Sequence, residues 1–155
     1  MKRLCFAFIV IALGVGCGKD GKDCPAGFSG EDCNIEITPN RVDLVSLSAN
    51  VTSTGWDILP SSPPDVFFVV EGSGGAALLT TSVCLDSNTC SWSGTLSFGA
   101  SETCVIRVFD DDGLGFREQI GSFSLDVYEN GGGFPTTLTG TLSGVTVTVG
   151  LSYDH

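Results

Sequence analysis

The sequence predicts an all-β sandwich of eight antiparallel strands. Two observations carry that expectation. From residue 41 onward, apolar residues recur at every second position in short runs, the period of a strand with one buried face. Clusters of Gly, Pro, Ser and Asn separate the runs, while Val, Thr, Ser, Gly and Phe are abundant and Met, Lys and Gln are scarce. No stretch beyond the N-terminus shows an amphipathic helical period. A chain of 155 residues has room for one such domain after a targeting segment is removed.

Residues 1–16 read as an export signal. Lys2 and Arg3 precede a mostly apolar run from Leu4 to Gly16. That run falls short of the roughly 20 residues that span a bilayer, and it has the build of a secretory signal peptide. Its last residues, Gly14-Val15-Gly16-Cys17, resemble the lipobox of bacterial lipoproteins. The resemblance implies that Cys17 is diacylated and becomes the mature N-terminus. Gly18, where Asp would retain such a lipoprotein at the inner membrane, implies passage to the outer membrane, with the domain facing the periplasm or the cell surface. The alternative is ordinary cleavage after Gly16 and secretion. Loss of residues 1–16 removes two basic residues, leaving five against 18 acids and a charge of −13. So acidic a chain has no electrostatic footprint for nucleic acid.

Residues 17–40 are expected to be a polar tether that holds the domain off the membrane. Within it lies Cys24-Pro25-Ala26-Gly27-Phe28-Ser29-Gly30-Glu31-Asp32-Cys33. This resembles the last loop of an EGF-like module, Cys-Pro-x-Gly-Phe-x-Gly-x-x-Cys. The resemblance implies a Cys24–Cys33 disulfide in an oxidising compartment. The upstream cysteines of a full module are missing, so the expected element is a stapled, protease-resistant stem.

The sandwich is expected over residues 41–155. Its strands read as 42–51, 66–71, 76–83, 91–98, 102–109, 121–127, 138–142 and 144–153. Pro60, Pro63 and Pro64 exclude a helix from the long loop 56–65. Continuous apolar character from Val66 to Val70 suits a strand buried on both faces. Trp92, Leu96 and Phe98 share one face of their strand, which makes Trp92 a packing residue rather than a sugar platform. Cys84 and Cys90 flank a short polar turn and could close it as a disulfide. Cys104 shares the core face with Ile106 and Val108 and is expected to be a free buried thiol. Six mature cysteines would allow full pairing if Cys17 is not acylated.

The segment Val108 to Gly121 carries the most chemistry: Val-Phe-Asp-Asp-Asp-Gly-Leu-Gly-Phe-Arg-Glu-Gln-Ile-Gly. Asp110 and Asp112, two apart on an extended chain, point the same way. Gly113 and Gly115 make a turn feasible that brings back Glu118. Three carboxylates on one loop form a half-site for a hard cation; calcium takes roughly 6–8 oxygen ligands. A solvated acidic hairpin explains the same spacing.

The order of features over residues 41–153 resembles the C2 domain, the calcium-dependent phospholipid-binding module. The family places one Asp in its first loop and another just before a strand, matched by Asp57 and Asp65, with Val66-Phe67-Phe68 opening that strand. Thr81 and Trp92 match a Thr before a variable turn and a Trp opening the next strand. The third loop follows Val-x-Asp-x-Asp-x5-Asp-x-Ile-Gly from Val108 to Gly121, with Glu118 in place of the last Asp. The resemblance implies that Asp57, Asp65, Asp110, Asp112 and Glu118 ligate calcium. It also implies that Ile58, Leu59, Leu114 and Phe116, at the loop tips, contact a phospholipid membrane.

Two functions compete at this point. One is an exported, lipid-anchored calcium-binding module that docks on phospholipid or a partner surface. The other is a metal-free structural or adhesive surface lipoprotein. An enzyme is not expected. The sole histidine is the terminal His155, so no Ser/His or Cys/His constellation can be assembled. Paired carboxylates could serve a glycosidase, but nothing in so small a domain points to a saccharide cleft.

Overall fold

A computed structural model of the chain describes residues 23–56, 62–113 and 115–155. The signal segment, Cys17 and the loop residues Asp57, Ile58, Leu59 and Leu114 lie outside the described residues. Among the described residues ten strands are formed: β1 (Phe28–Ser29), β2 (Ile35–Glu36), β3 (Arg41–Val51), β4 (Val66–Gly72), β5 (Ala77–Thr80), β6 (Thr89–Phe98), β7 (Thr103–Asp111), β8 (Arg117–Asp126), β9 (Thr137–Leu142) and β10 (Val145–Asp154). Eight of them build two antiparallel four-stranded sheets, in the orders β6-β3-β10-β9 and β5-β4-β7-β8. The pair β1-β2 stands apart as a small hairpin. The eight-stranded sandwich expected from the sequence is therefore present.

Alternation builds the core. β3 turns Val42, Leu44, Leu47, Ala49 and Val51 inward, and β10 adds Val145, Val147, Val149 and Leu151. The facing sheet supplies Val66, Phe68 and Val70 from β4, with Cys104, Ile106 and Val108 from β7. Each valine, leucine, isoleucine or phenylalanine among them contributes about 1.5–3 kcal/mol when fully buried. β4 is buried on its outer face as well. There Phe67 stacks on Phe109 at 5.4 Å, and the Arg117 guanidinium lies 4.9 Å from the Phe67 ring centroid.

The other sheet presents a different outer face. In register across β9, β10, β3 and β6 stand three rows: Thr141, Thr146, Asn50 and Thr89; then Thr139, Thr148, Ser48 and Ser91; then Thr137, Gly150, Ser46 and Ser93. None of these residues is charged, and threonine hydroxyls meet across β9 and β10 at 3.0 and 3.3 Å. In so acidic a chain the charge is thereby concentrated at the ends of the sandwich and on its other faces.

Four strand boundaries differ from the expectation by two residues or more; one is the end of β7, which runs on to Asp111 past the expected Phe109. β5 stops at Thr80 instead of running to Val83. The Thr81 hydroxyl accepts the Phe68 N–H at 3.0 Å, taking the place of a ladder carbonyl. The chain rejoins β4 only at an isolated bridge between Val66 and Cys84. β6 begins at Thr89, two residues early, because Thr89 already pairs with Asn50. β8 begins at Arg117, four residues before the expected Gly121. Its polar start suggested a loop, but these residues pair along β7: Arg107 donates to the Gln119 side chain at 2.8 Å, and Asp110 stands opposite Glu118. A bulge after Val108 absorbs the extra residue, Ile120.

Both anticipated disulfides are present, Cys24–Cys33 and Cys84–Cys90. The first ties the segment before β1 to the turn between β1 and β2, and the hairpin they form packs on the sandwich. Phe28 meets Phe134 edge to face at 5.4 Å, and Phe134 in turn contacts Tyr128, Tyr153 and His155. Gly27 sits at φ 84°, and a Cβ there would run into the Phe134 ring. The Glu36 carboxylate accepts the Gly133 N–H at 3.3 Å. Desolvation first, and the Glu36 carboxylate next, hold the Tyr128 phenol above its ordinary value. The stapled part of the expected tether is thus folded against the domain.

Cys104 is free, as expected, and 1 % exposed. Burial pushes its thiol up from an ordinary 9.0 to about 11. The folded chain keeps this proton where the unfolded chain loses it. The linked stability is therefore intact below about pH 9 and is lost as pH rises through about 11. A thiol reagent applied near pH 8 should leave Cys104 unmodified in the native protein and label it in denaturant; rapid native labelling would show that the inter-sheet packing opens.

Candidate functional site

Asp65, Asp86, Asp110, Asp111, Asp112 and Glu118 gather at one pole, where β3 ends, β4 begins, β7 ends and β8 begins. Asp110 continues the inward row Cys104, Ile106, Val108 and is fully buried, at 0 % exposure. A carboxylate in that position needs hydrogen bonds. Its Oδ1 accepts the Asp65 N–H at 2.6 Å, a short, charge-assisted bond. The Asp65 carboxylate accepts the Asp86 N–H at 2.6 Å, and the Asp65 carbonyl accepts the Asp111 N–H at 3.0 Å. Ser87 N–H donates to the Pro64 carbonyl at 2.9 Å. Side-chain and backbone bonds thus sew the start of β4 to the end of β7 and to the disulfide-closed turn 84–90.

Glu118 stands in register with Asp110 and on the same face, but it is exposed. Neighbouring strands lie about 4.8 Å apart, so the two carboxylates begin one strand spacing from each other. Asp112 is half-buried just past β7. Asp111 turns to the outer face, where its carboxylate accepts the Gly113 N–H at 3.3 Å. Gly113 and Gly115 both have φ in the left-handed region, at 72° and 83°, which tightens the tip. Phe116 then stands 69 % exposed beside the acids.

Of the residues singled out in the sequence, Asp65, Asp110, Asp112 and Glu118 share this pole, and Asp65 and Asp110 are in direct contact. Among the described residues, no group of three or more His, Cys, Asp or Glu side chains is arranged to hold a metal ion. Asp57 and the tip residues Ile58, Leu59 and Leu114 lie outside the described residues. Asp86 was missed. It holds a left-handed φ of 47°, donates its N–H to Asp65 and accepts from the Ser62 hydroxyl at 3.2 Å. Pairing of Cys84 with Cys90 was the signal that its turn is a fixed part of the fold. Thr81 serves the β4 edge, and Trp92 packs against the core.

No protein-family model matches the chain, and no curated protein matches it either. Solved structures do. A structure of a C2 domain superposes with a TM-score of 0.56 at 16% identity, covering 74% of this chain and 98% of that one. The chain has a C2-like fold. The two calcium-bound C2 domains of extended synaptotagmin 2 match at a TM-score of 0.57 and 13% identity, over 74% of this chain and 46% of theirs. Human GIVD cytosolic phospholipase A2 matches at 0.57 and 18% identity, over 74% of this chain. The chain spans 17% of that phospholipase's length, and lipase activity does not transfer with so partial a likeness.

The C2-like pole makes Asp110 a structural residue in its own right. Asp110→Ala should lower stability by about 1–3 kcal/mol, because it strips the Asp65 N–H of its acceptor. Asp110→Asn keeps an oxygen at that position and should lower it by less. Denaturant midpoints of the two variants would check the ordering; equal midpoints would mean that the bond contributes nothing.

Proposed function

We propose that this chain is an exported, lipid-anchored binding module whose acidic pole takes up calcium and docks on phospholipid. The observation that carries the reading is the placement of Asp110, at the inward end of β7, against Asp65 at the start of β4, in a C2-like fold. Asp65, Asp110, Asp112 and Glu118 would hold the ion, with Asp57 from the preceding loop. All of them offer oxygen, the donor that a hard cation takes. Bound calcium would supply positive charge at a pole where crowded carboxylates repel one another. Asp65 and Asp110 would act as oriented ligands, since a backbone N–H already fixes one oxygen of each. The exposed ring of Phe116, with Ile58, Leu59 and Leu114, would enter the interfacial layer of the membrane.

Acylation at Cys17 would anchor the module in the outer membrane. This is a binding role without a catalytic centre. The calcium-bound state of the extended synaptotagmin domains lends support by likeness of fold.

A second reading, a metal-free structural or adhesive lipoprotein, has its own observation. The Asp110 and Asp65 carboxylates already accept backbone N–H groups, so they hold the pole together with no ion.

Thermal midpoints in excess EDTA, millimolar calcium and millimolar magnesium separate the two. Calcium at about 100 times its dissociation constant adds about 2.7 kcal/mol. For a domain of this size that is roughly 5–15 °C. The rise should be specific for calcium and vanish in Asp110→Asn with Asp112→Asn. An unchanged midpoint would leave the metal-free reading standing.

A further inference from the structure

A sheet that ends in an open strand offers that strand's unpaired N–H and C=O groups to any chain able to lie beside it, and folded proteins blunt such edges. Among the described residues, three of the four sheet edges of this sandwich are blunted. β5 is only 4 residues long. β6 slips register at Gly94 and Thr95, which stand against Val45 alone, so its line is broken. β8 carries Arg117, Glu118 and Asp126. The remaining edge, β9, has no such device. Thr137-Leu138-Thr139-Gly140-Thr141-Leu142 holds no charge and no proline, and it follows β10 in one unbroken register.

The hydrogen-bond pattern says which groups of β9 are open. The Thr136 carbonyl accepts the Leu151 N–H at 3.0 Å, and the next residue, Thr137, stands opposite Gly150. In an antiparallel pair, bonded and non-bonded positions alternate. Leu138, Gly140 and Leu142 therefore direct their backbone groups to β10, while Thr137, Thr139 and Thr141 turn theirs outward, and all three threonines are exposed. The inward row behind this edge is apolar and incompletely covered. A Cβ on Gly140 would meet the Phe123 ring at 3.1 Å, so the bare glycine makes room for that ring. A cleft of about 200 Å³ opens here, between Phe123 and Leu125 of β8 and Leu138 and Gly140 of β9. Leu142, next in the row, is 48 % exposed.

We infer that β9 is the seam of a homodimer, in which it pairs antiparallel with β9 of a second copy, Thr139 opposite Thr139. The inference stands apart from the calcium reading. This register uses every open group: Thr137 lies opposite Thr141 of the second copy, Thr139 opposite its counterpart and Thr141 opposite Thr137, each a narrow pair with two N–H···O bonds. The same register sets Leu138 opposite Gly140 of the second copy, beside the Phe123 ring that this glycine accommodates. A strand of another protein could supply the backbone bonds. β9 also matches itself in side chains, with hydroxyls outward and leucine against glycine inward, and it brings no charge to the seam. With 6 residues a side, far fewer than the roughly 20–30 of a standard interface, the pair is a weak one. Asp126 lines a recess together with Leu138 near the seam, and each chain has a net charge of −11, so salt should strengthen the pairing.

The test follows the full chain carrying Cys17→Ser, which no acyl group can draw together, by sedimentation equilibrium without calcium or lipid. Concentrations run from about 10 μM to about 1 mM, the range in which weak pairs form. The average mass should rise from one chain toward two, and further at about 1 M salt, where the Debye length falls to about 3 Å. Thr139→Pro removes the central open N–H and leaves the bonds to β10 in place. Thr139→Lys sets two ammonium groups opposite each other across the seam. Both variants should stay at one chain throughout and keep the thermal midpoint of the parent at low concentration; if Thr139→Pro does not fold, Thr139→Lys decides alone. A nitroxide on Thr139→Cys should show several-fold stronger spin–spin broadening than one on Thr141→Cys, since residue 141 lies roughly 13 Å along the strand from its counterpart. Cys104 is buried and stays unlabelled. A mass that remains at one chain up to the highest concentration would overturn the inference. So would association that the Thr139 variants retain, because the seam would then lie elsewhere, or equal broadening at the two labelled sites. A mass climbing past two chains would overturn it as well, as the mark of an open head-to-tail contact between unlike edges.

Discussion

A single hydrogen bond sets the character of the acidic pole: Asp65 N–H to the buried Asp110 carboxylate, at 2.6 Å. β7 places its core residues at every second position, and Asp110 occupies the next such position after Val108. A carboxylate there is costly unless donors meet it. The turn before β4 meets it, and in doing so fixes where β4 begins. That same turn is held by Asp86 and Ser87, whose own turn is closed by the Cys84–Cys90 bridge. Start of strand, end of strand and disulfide turn are therefore one unit. Any chemistry at this pole works with carboxylates whose orientation the backbone has already chosen.

Much of this was legible in the sequence because the period of two is a strong signal when one face is buried. Val145 to Tyr153 alternates without a break and Val42 to Val51 alternates on either side of a bulge at Val45, and both became central strands of their sheet. The continuous run from Val66 to Val70 was equally clear, since β4 is covered on both faces. The sequence was less legible where polar residues sit in a ladder. Arg117, Glu118 and Gln119 resemble a loop by composition, and only pairing with Arg107 and Asp110 makes them a strand. Conversely, Thr81 resembles a strand residue, yet its hydroxyl ends the strand. The β1-β2 hairpin gave no periodic signal at all. Its two-residue strands exist because a disulfide and an aromatic cluster hold them.

The candidate site divides along the same line. Asp110 and Asp65 could be placed from the sequence because both flank strands whose ends are fixed by core packing. Asp112 and Glu118 were nominated by spacing, and the structure gives them the same pole without bringing three acids together among the described residues. Asp86 was invisible because its relation to Asp65 depends on a turn that crosses from one sheet to the other. Local spacing reports which residues share a strand face; it is silent on contacts made by a backbone N–H from another segment.

The dual use of Asp110 and Asp65 bears on how an ion would act here. A carboxylate that swings freely must be ordered when a cation binds, and the ordering entropy opposes binding. These two are ordered already by backbone donors, so that opposition is reduced. The same donors, however, place partial positive charge against the oxygens and offset some of the repulsion that a cation would otherwise relieve. The two effects have opposite signs. Pre-organisation strengthens binding, while the relief left for the ion is smaller than a bare cluster of acids would offer. The pole can therefore keep its shape without an ion, and an ion would act mainly on the half-buried and exposed acids, Asp112 and Glu118, which the N–H network does not hold. On this account, calcium would govern the presentation of the loop tip around Phe116, and the stability it adds to the sandwich would come by linkage to that binding rather than by reshaping the core.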